Sequence, residues 1–342
     1  MRRVPLSVLT LLVAFAPDVA VAQPSASAWD SRDGCLEGIS TSSEVGPSDL
    51  IRVGSWNLRW FPRGCSQRDG CQNPPDLDWI ACAVATLDID VLAVQEVVDY
   101  PSDRAAVSRF VGSLERITAH AWRFDLQDCG APNSQHVGYL WRPDRVRLSG
   151  FADIAALNGA ARHEGEPCAG SLRPGRYAYV ESLIGGVDFH LVTVHLDSGV
   201  RAKDWNTRRA AINALPDLRA SSALSRRRDT DVVVIGDFNV MGRTQGRRIT
   251  AEAELALVDE TVGPLFNRLA SNPSCSYQYR GRPLLMDLVL VSSAMVESST
   301  TAEPSGWCAL AGCRALGPDD PASTALSDHC PVILEVRDVD LD

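Results

Sequence analysis

The sequence predicts an α/β sandwich: two β-sheets packed face to face, with helices outside them. Three observations predict it. Short apolar runs recur along the chain, and most of them stop abruptly at a polar residue. Stretches with three- and four-residue apolar spacing lie between them. Two further stretches, 136–149 and 177–194, read as hairpins, the second turning at Gly185-Gly186. Runs of four to eight β-branched residues between turn residues read as buried strands. Helical spacing collects apolar side chains on one face, which must then cover a sheet.

In chain order, the first 22 residues read as an export signal. Arg2 and Arg3 precede an apolar run from Val4 to Ala16, and Ala20-Val21-Ala22 supplies the small residues of a cleavage site near Ala22. Gln23, in place of Cys, argues against a lipid anchor. A secreted or periplasmic location follows as the expectation. No later stretch approaches the roughly 18 uninterrupted apolar residues of a membrane span, so no stable membrane insertion is expected. Residues 23–49, rich in Ser, Asp and Gly, read as a flexible lead-in. Residues 50–338 read as a single catalytic domain, without repeats or a second composition regime, and as a monomer.

Within that domain Ile51 to Trp56 ends at Asn57, and Asp90 to Gln95 ends at Glu96. Phe189 to Val194 ends at His195, and Asp231 to Gly236 ends at Asp237. Leu284 to Val291 carries Asp287 in its middle. Asp328-His329 precedes the run Cys330-Pro331-Val332-Ile333. Leu77, Ile80, Ala81 and Val84 predict one helix, and Trp205, Ile212, Leu215 and Leu218 another.

The chain has 33 basic and 43 acidic side chains, and loss of Arg2, Arg3 and Asp18 with the signal takes its net charge from −10 to −11. Such a charge repels polyanions at long range. Bound metal would cancel part of it, and arginines cluster at Arg226-Arg227-Arg228 and at Arg243, Arg247 and Arg248. Ten cysteines, all beyond the signal, predict disulfides in an exported chain. Cys65/Cys71 and Cys308/Cys313 are close enough to close small loops, while Cys82 and Cys330 sit in apolar runs and fit buried thiols equally well.

Strand ends share an edge of a sheet, where side chains leave the core while the backbone stays rigid. Asn57, Glu96, His195, Asp237, Asn239, Asp328 and His329 all fall at such ends. Carboxylate, amide and imidazole groups gathered there suit a hard cation and a phosphate. Each residue alone has a plainer reading. Asn57 could cap a turn, Glu96 could be a solvated charge, His195 a structural histidine, and Asp237 with Asn239 a turn. Asp287 within an apolar run needs a partner if it is buried. Seven such residues in one order outweigh the plainer readings.

Trp56-Asn57, Gln95-Glu96, Gly236-Asp237-Phe238-Asn239 and Ser327-Asp328-His329-Cys330-Pro331 together resemble the ordered signatures of the endonuclease/exonuclease/phosphatase superfamily, over about residues 50 to 337. The resemblance implies a deoxyribonuclease I-like four-layer sandwich of two packed mixed β-sheets flanked by helices. It implies Glu96 as the principal metal ligand, with Asn57 beside it and Asp328 completing the shell around Mg²⁺ or Mn²⁺; Ca²⁺ is a candidate structural ion. Asp237 and Asn239 would hold the phosphate and the attacking water. His329 would be the base, oriented by Asp287, and His195 would act on the phosphate or leaving group. Arg176 sits where members carry a phosphate-contacting Arg, with Arg173 close enough to share that expectation. One departure stands out: where related nucleases pair a Glu with the first histidine, this chain offers Gln135.

These features point to an exported metal-dependent nuclease, with DNA as the expected nucleic-acid substrate. The alternative is a phosphodiesterase or phosphatase acting on phospholipid head groups or small phosphorylated molecules. The intact residue set argues against an inactive binding protein.

Overall fold

Period-two alternation along the apolar runs sets the architecture. The computed structural model describes residues 27–41, 49–66, 71, 74–99, 103–129, 134–279, 281–317 and 320–341. In chain order these form α1 (Ser27–Asp30), α2 (Arg32–Thr41), β1 (Leu50–Phe61), α3 (Leu77–Thr86), β2 (Val91–Val98), α4 (Arg104–Thr118), β3 (Arg123–Leu126), β4 (Gln135–Trp141) and β5 (Val146–Ile154). There follow β6 (Gly175–Ser182), β7 (Asp188–His195), α5 (Ala202–Ala214), β8 (Val232–Asp237), α6 (Ala251–Val262), β9 (Phe266–Arg268) and β10 (Ala270–Ser271). The last elements are β11 (Tyr277–Tyr279), β12 (Arg282–Leu284), β13 (Asp287–Ser292), β14 (Thr301–Pro304), α7 (Trp307–Ala311), α8 (Pro321–Ala325) and β15 (Val332–Arg337).

Two large mixed sheets result, in the orders β10-β14-β15-β1-β2-β4-β3 and β5-β6-β7-β8-β13-β9. Ile51 and Val53 of β1 join Leu191 of β7 and Val233 and Ile235 of β8 in an apolar layer between the sheets. The alternate residues Trp56 and Leu58 pack on α3 and α4. Val192 and Val194 of β7 pack on Ile212 of α5. The four layers are those expected. Each fully buried Val, Leu or Ile in them contributes roughly 1.5–3 kcal/mol.

Several local expectations are corrected. The 136–149 stretch is not a hairpin: β4 belongs to the first sheet and β5 to the second, and the chain crosses between sheets at Arg142-Pro143. The 177–194 stretch is a hairpin, β6 against β7. Its turn requires glycine at position 185, where a Cβ would lie 1.7 Å from the Asp338 carbonyl oxygen. The 284–291 run is split, because β13 starts at Asp287 rather than running through it. The second predicted helix stops at Ala214 and continues as a 3₁₀ turn, Leu215–Ala220, where Pro216 lacks the backbone donor.

The flexible lead-in is corrected as well. α1 and α2 lie within 23–49, Ala28 and Trp29 are buried, and the Ala28 carbonyl accepts from Trp79 Nε1 at 2.9 Å. The indole of Trp29 is large enough to reach the helix-side core, where it meets Trp56 edge-on at 6.2 Å. Cys35–Cys82 ties α2 to α3, so Cys82 is not a free thiol. Cys65–Cys71 closes the expected loop. Cys308 and Cys313 do not pair with each other; the bonds are Cys308–Cys330 and Cys275–Cys313, with Cys129–Cys168 as the fifth. The expected signal, 1–22, lies outside the described residues. No helix among the described residues is long and apolar enough to cross a membrane.

Candidate active site

The side chains that fill the space between the sheets continue, at one end, as polar residues of the same parity. Asn57 follows Ile51 and Val53 on β1, and Gln95 follows Val91 and Ala93 on β2. His195 follows Leu191 on β7, Asp237 follows Val233 and Ile235 on β8, and Asp287 precedes Val289 and Val291 on β13. A polar layer seals the junction: Gln95 Nε2 donates to Ser55 Oγ at 3.1 Å and to Thr193 Oγ1 at 3.0 Å. Neither Ser55 nor Thr193 carried a chemical signature in the sequence.

Register aligns the groups beyond that layer. His195 lies opposite Asp237, and Asp237 opposite Asp287, so three neighbouring strands present one row. Glu96 has the other parity, which would send it toward the helices. A left-handed φ of 60° at a register break between Val94 and Val97 re-aims it. Arg59, Trp60 and Asn239 also take positive φ, at 48°, 50° and 51°. Strain of this kind collects where surrounding structure over-determines the backbone.

The structure brings most of the expected residues together. Asn57 Nδ2 donates to Glu96 Oε1 at 3.2 Å and to Asp237 Oδ2 at 2.9 Å. Asp237 Oδ2 lies 3.5 Å from His195 Nε2 and 3.8 Å from His329 Nε2. His329 Nδ1 meets Asp287 Oδ2 at 2.8 Å, the buried partner that Asp287 needed. The Asn239 amide nitrogen donates to Asp237 Oδ1 at 2.9 Å, and its side-chain Nδ2 to the Leu196 carbonyl at 3.0 Å.

His329 is seated by residues that the sequence did not announce. Its ring packs on Tyr277 with centroids 4.5 Å apart. Gln278 N donates to the Asp328 carbonyl at 3.1 Å, and Cys330 N to the Ser276 carbonyl at 2.7 Å. Ser276 Oγ accepts from Asp287 N at 2.9 Å, and Ser327 Oγ donates to the Asn57 carbonyl at 2.6 Å. Only Ser327, two residues before His329 in a turn-like sequence, offered a local signal; Tyr277 reaches His329 through tertiary folding alone.

Two expectations are corrected. Arg176 is committed to Asp125 at 2.8 Å and Asp153 at 2.9 Å, tying β6 to β3 and β5. Arg173 is the arginine at the site, and it donates to Gln135 Oε1 at 3.2 Å and to the His195 carbonyl at 3.2 Å. Gln135 does not partner His195, whose buried Nδ1 has no hydrogen-bond partner. It donates instead to Glu96 Oε2 at 2.6 Å. A neutral amide thus links Arg173 to the Glu96 carboxylate.

Burial dominates the electrostatics. It pushes Asp237 up to about 7, with Asp287 adding to the rise and His329 opposing it. Burial opposes charge on His329, but Asp287 and Asp237 outweigh it and raise the imidazole to about 10. Burial, then Arg173 and His329, hold His195 well below the ordinary histidine range, so it is neutral near pH 7. Burial and the Asp328 carboxylate raise Glu96.

A hard divalent cation fits here. Glu96 is half-buried beside a like charge, Asp328, and a cation relieves both penalties with oxygen ligands. Asp237, Asp287 and His329 also bring ligand atoms within 4.8 Å of one another. His329 Nδ1 is already engaged by Asp287, so that trio is better suited to moving a proton than to closing a metal shell.

Residues 54–329 match the family model described as the Endonuclease/Exonuclease/phosphatase family. No curated protein matches the chain. Among solved structures, it is similar to an endonuclease/exonuclease/phosphatase from Bacteroides vulgatus, at 16% identity and a TM-score of 0.54, covering 86% of this chain and 99% of that one. A mannosyl-6-phosphatase of Bacteroides thetaiotaomicron matches at 18% identity and a TM-score of 0.50, over 84% and 99% of the two chains. Truncated TDP2 of Caenorhabditis elegans matches at 16% and 0.50, over 84% and 98%. At these identities the likeness is one of fold.

Proposed function

The chain belongs to the endonuclease/exonuclease/phosphatase family of phosphoester hydrolases, and on that footing we propose that it is an exported, divalent-metal-dependent nuclease that hydrolyses DNA phosphodiesters. The observation that carries the choice of substrate is a basic ridge beside the site. β7 and β8 run parallel, and His195 and Asp237 close their C-terminal ends. α5 and α6 start from the loops that follow, so their N-termini lie at the site end of the molecule. Lys203 and Arg209 of α5, with Arg243, Arg247 and Arg248 of the loop before α6, make no ion pair with a carboxylate among the described residues. Arg243 and Arg209 lie over the Trp205 ring at 4.8 and 5.8 Å. On a chain of net charge −10, this local excess of cations suits a substrate with phosphates on both sides of the scissile bond.

Asp237 and His329, the latter oriented through Nδ1 by Asp287, titrate as one unit, and that unit takes the proton of the attacking water. Asp237 and Asn239 fix the water and a phosphoryl oxygen. His195, neutral and next to Glu96, donates to a phosphoryl or leaving oxygen, and Arg173 takes the substrate role expected of Arg176. Glu96, with Asn57 and Asp328, would hold Mg²⁺ or Mn²⁺, which supplies charge neutralisation at the phosphoryl and leaving oxygens. Five disulfides and the signal-like composition of the first 22 residues support export.

A second reading, hydrolysis of phospholipid head groups or small phosphoesters, is favoured by one observation. Gln135 supports Glu96 and leaves His195 without the acidic partner of related nucleases. A turnover panel separates the two: supercoiled plasmid, single-stranded DNA, RNA, sphingomyelin and bis-p-nitrophenyl phosphate, each with Mg²⁺, Mn²⁺ or EDTA. Metal-dependent DNA cleavage is expected. Turnover of lipid or small esters with DNA left intact would reject the nuclease, and full activity after verified metal removal would reject the mechanism.

A further inference from the structure

Arg208 of α5 and Glu254 of α6 are both fully buried, and they pair fork to fork through Nε–Oε1 and Nη2–Oε2 contacts of 3.0 Å each. They lie on the helix side of the second sheet, and the chemistry described above uses neither. A buried ion pair is weak ground for stability, since its desolvation offsets its attraction. What the pair touches is more informative.

All five guanidinium donors of Arg208 have a partner, and three of the acceptors are backbone carbonyls. Nη1 donates to the Asp197 carbonyl at 3.1 Å and the Gly199 carbonyl at 2.6 Å. Nη2 donates to the Gly242 carbonyl at 3.0 Å, and Glu254 Oε2 accepts from Gly242 N at 2.6 Å. Asp197 and Gly199 belong to the loop that leaves His195; Gly242 lies in the loop that leaves Asp237 and Asn239. Both loops turn through left-handed backbone, with φ of 107° at Gly199, 51° at Asn239 and 78° at Gly242. Substitution at either glycine meets atoms already in place: a Cβ on Gly199 would lie 2.6 Å from Asp204 Oδ2, and one on Gly242 2.3 Å from the Ile249 carbonyl oxygen. The two loops also brace each other, because Leu196 N donates to the Asp237 carbonyl at 2.9 Å.

We propose that Arg208 and Glu254 are positioning residues, a buried clamp that locks the loops after β7 and β8 and so fixes His195, Asp237 and Asn239 relative to one another. An apolar pair of equal volume could fill the space, but it would leave three inward carbonyls unmet, each at a cost of desolvation. A lysine would keep the charge and lose the planar fork that spans both loops. The inference rests on the phosphoester-hydrolase reading of the site, while the clamp itself has a readout independent of turnover.

The test uses the full chain and bis-p-nitrophenyl phosphate. Arg208→Lys and Glu254→Gln should each lower kcat about 10- to 100-fold, the loss expected for misplacement on the ångström scale, with KM changed less than about threefold. The double variant should be no worse than the worse single one, because the pair acts as a unit. Amide exchange should rise in 197–201 and 239–243 and stay unchanged in β7 and β8. A purely structural role predicts the opposite: a lower melting temperature, with normal kcat in the molecules that remain folded. Near-normal kcat in folded Arg208→Lys, or unchanged exchange in both loops, overturns the clamp. Should neither variant fold, the wild-type protein still decides, because the Gly242 amide must exchange as slowly as the core strands; fast exchange there overturns the clamp. If the wild type turns over no phosphoester, the functional reading fails, and the exchange data still judge the clamp.

Discussion

His195 and His329 converge on one oxygen of Asp237, yet their surroundings are unequal. His329 has Asp287 on Nδ1 at 2.8 Å, whereas His195 Nδ1 has no partner. His329→Ala should therefore cost more turnover than His195→Ala, within the roughly 10²–10⁴-fold range of general acid–base catalysis. Asp287→Asn should reproduce the larger loss. Near-normal turnover in His329→Ala would remove the mechanism and leave the fold intact. A third histidine reports on stability. His190 is buried on β7, beside the Tyr177 hydroxyl at 3.0 Å and the Asp229 carbonyl at 3.3 Å. Burial, with Arg219 and Arg227 nearby, lowers it to about 4 from the usual 6.5, against Asp229 and Asp188. The unfolded chain thus binds the extra proton between these values. Stability is present above about pH 6.5 and is lost as the pH falls toward 4, by roughly 3 kcal/mol from this one group. Urea melts at pH 7.5 and 5 should show about 2 kcal/mol of that loss in the wild type, because pH 5 is still above the folded value, and a clearly smaller one in His190→Gln. At this scale the sequence was generous with strand-end chemistry, because a polar residue after an apolar run is visible locally. It was silent on Tyr277, Ser276 and the choice of Arg173 over Arg176, which only tertiary folding decides.

Parity and register do the assembling at the scale of elements. Asn57, His195, Asp237 and Asp287 reach one space because each keeps the inward phase of its strand, a pattern open to inspection in the apolar runs. Glu96 breaks phase, and no local signal marks the bulge that turns it. The 136–149 stretch misled for a related reason: two strands separated by an Arg-Pro turn look like a hairpin, and pairing partners are a non-local property. α1 is the other surprise, since four residues in a polar segment carry no periodicity. Its Trp29 is 2% exposed and packs under Gly306, where a Cβ would stand 2.9 Å from the indole. Trp29→Ala should destabilise the protein by about 3–5 kcal/mol, measured by denaturant melts; a loss below about 1 kcal/mol would show that the lead-in is not part of the core. The ridge on the loop before α6 makes a separate prediction. Arg247→Ala/Arg248→Ala should weaken binding of a DNA oligonucleotide and flatten its dependence on salt by about two phosphate contacts, with bis-p-nitrophenyl phosphate turnover unchanged. Equal loss on both substrates would place these arginines in the chemistry instead of the binding surface.

For the whole molecule, composition and order of motifs were enough to name the layers, because two sheets that each bury one face on the other leave few alternatives. Cysteine pairing was not legible, since ten thiols allow many connectivities and spacing favoured the wrong partner for Cys308. The bonds actually formed have a consequence for how the enzyme comes into being. Cys330 follows His329 directly and is joined to Cys308; Cys275 precedes Ser276 and is joined to Cys313. The His329 imidazole is therefore the meeting point of two covalent stitches that bring together segments remote in sequence. Chain refolded under excess dithiothreitol should recover sheet content yet stay inert, and should gain turnover with the time course of thiol loss once oxidant is added; equal activity in the reduced refolded chain would refute this. On the proposed export route, ripening by oxidation would make the freshly synthesised polypeptide a harmless precursor, and the phosphoesters of the cell that makes it would be spared until the chain has left thiol-rich surroundings.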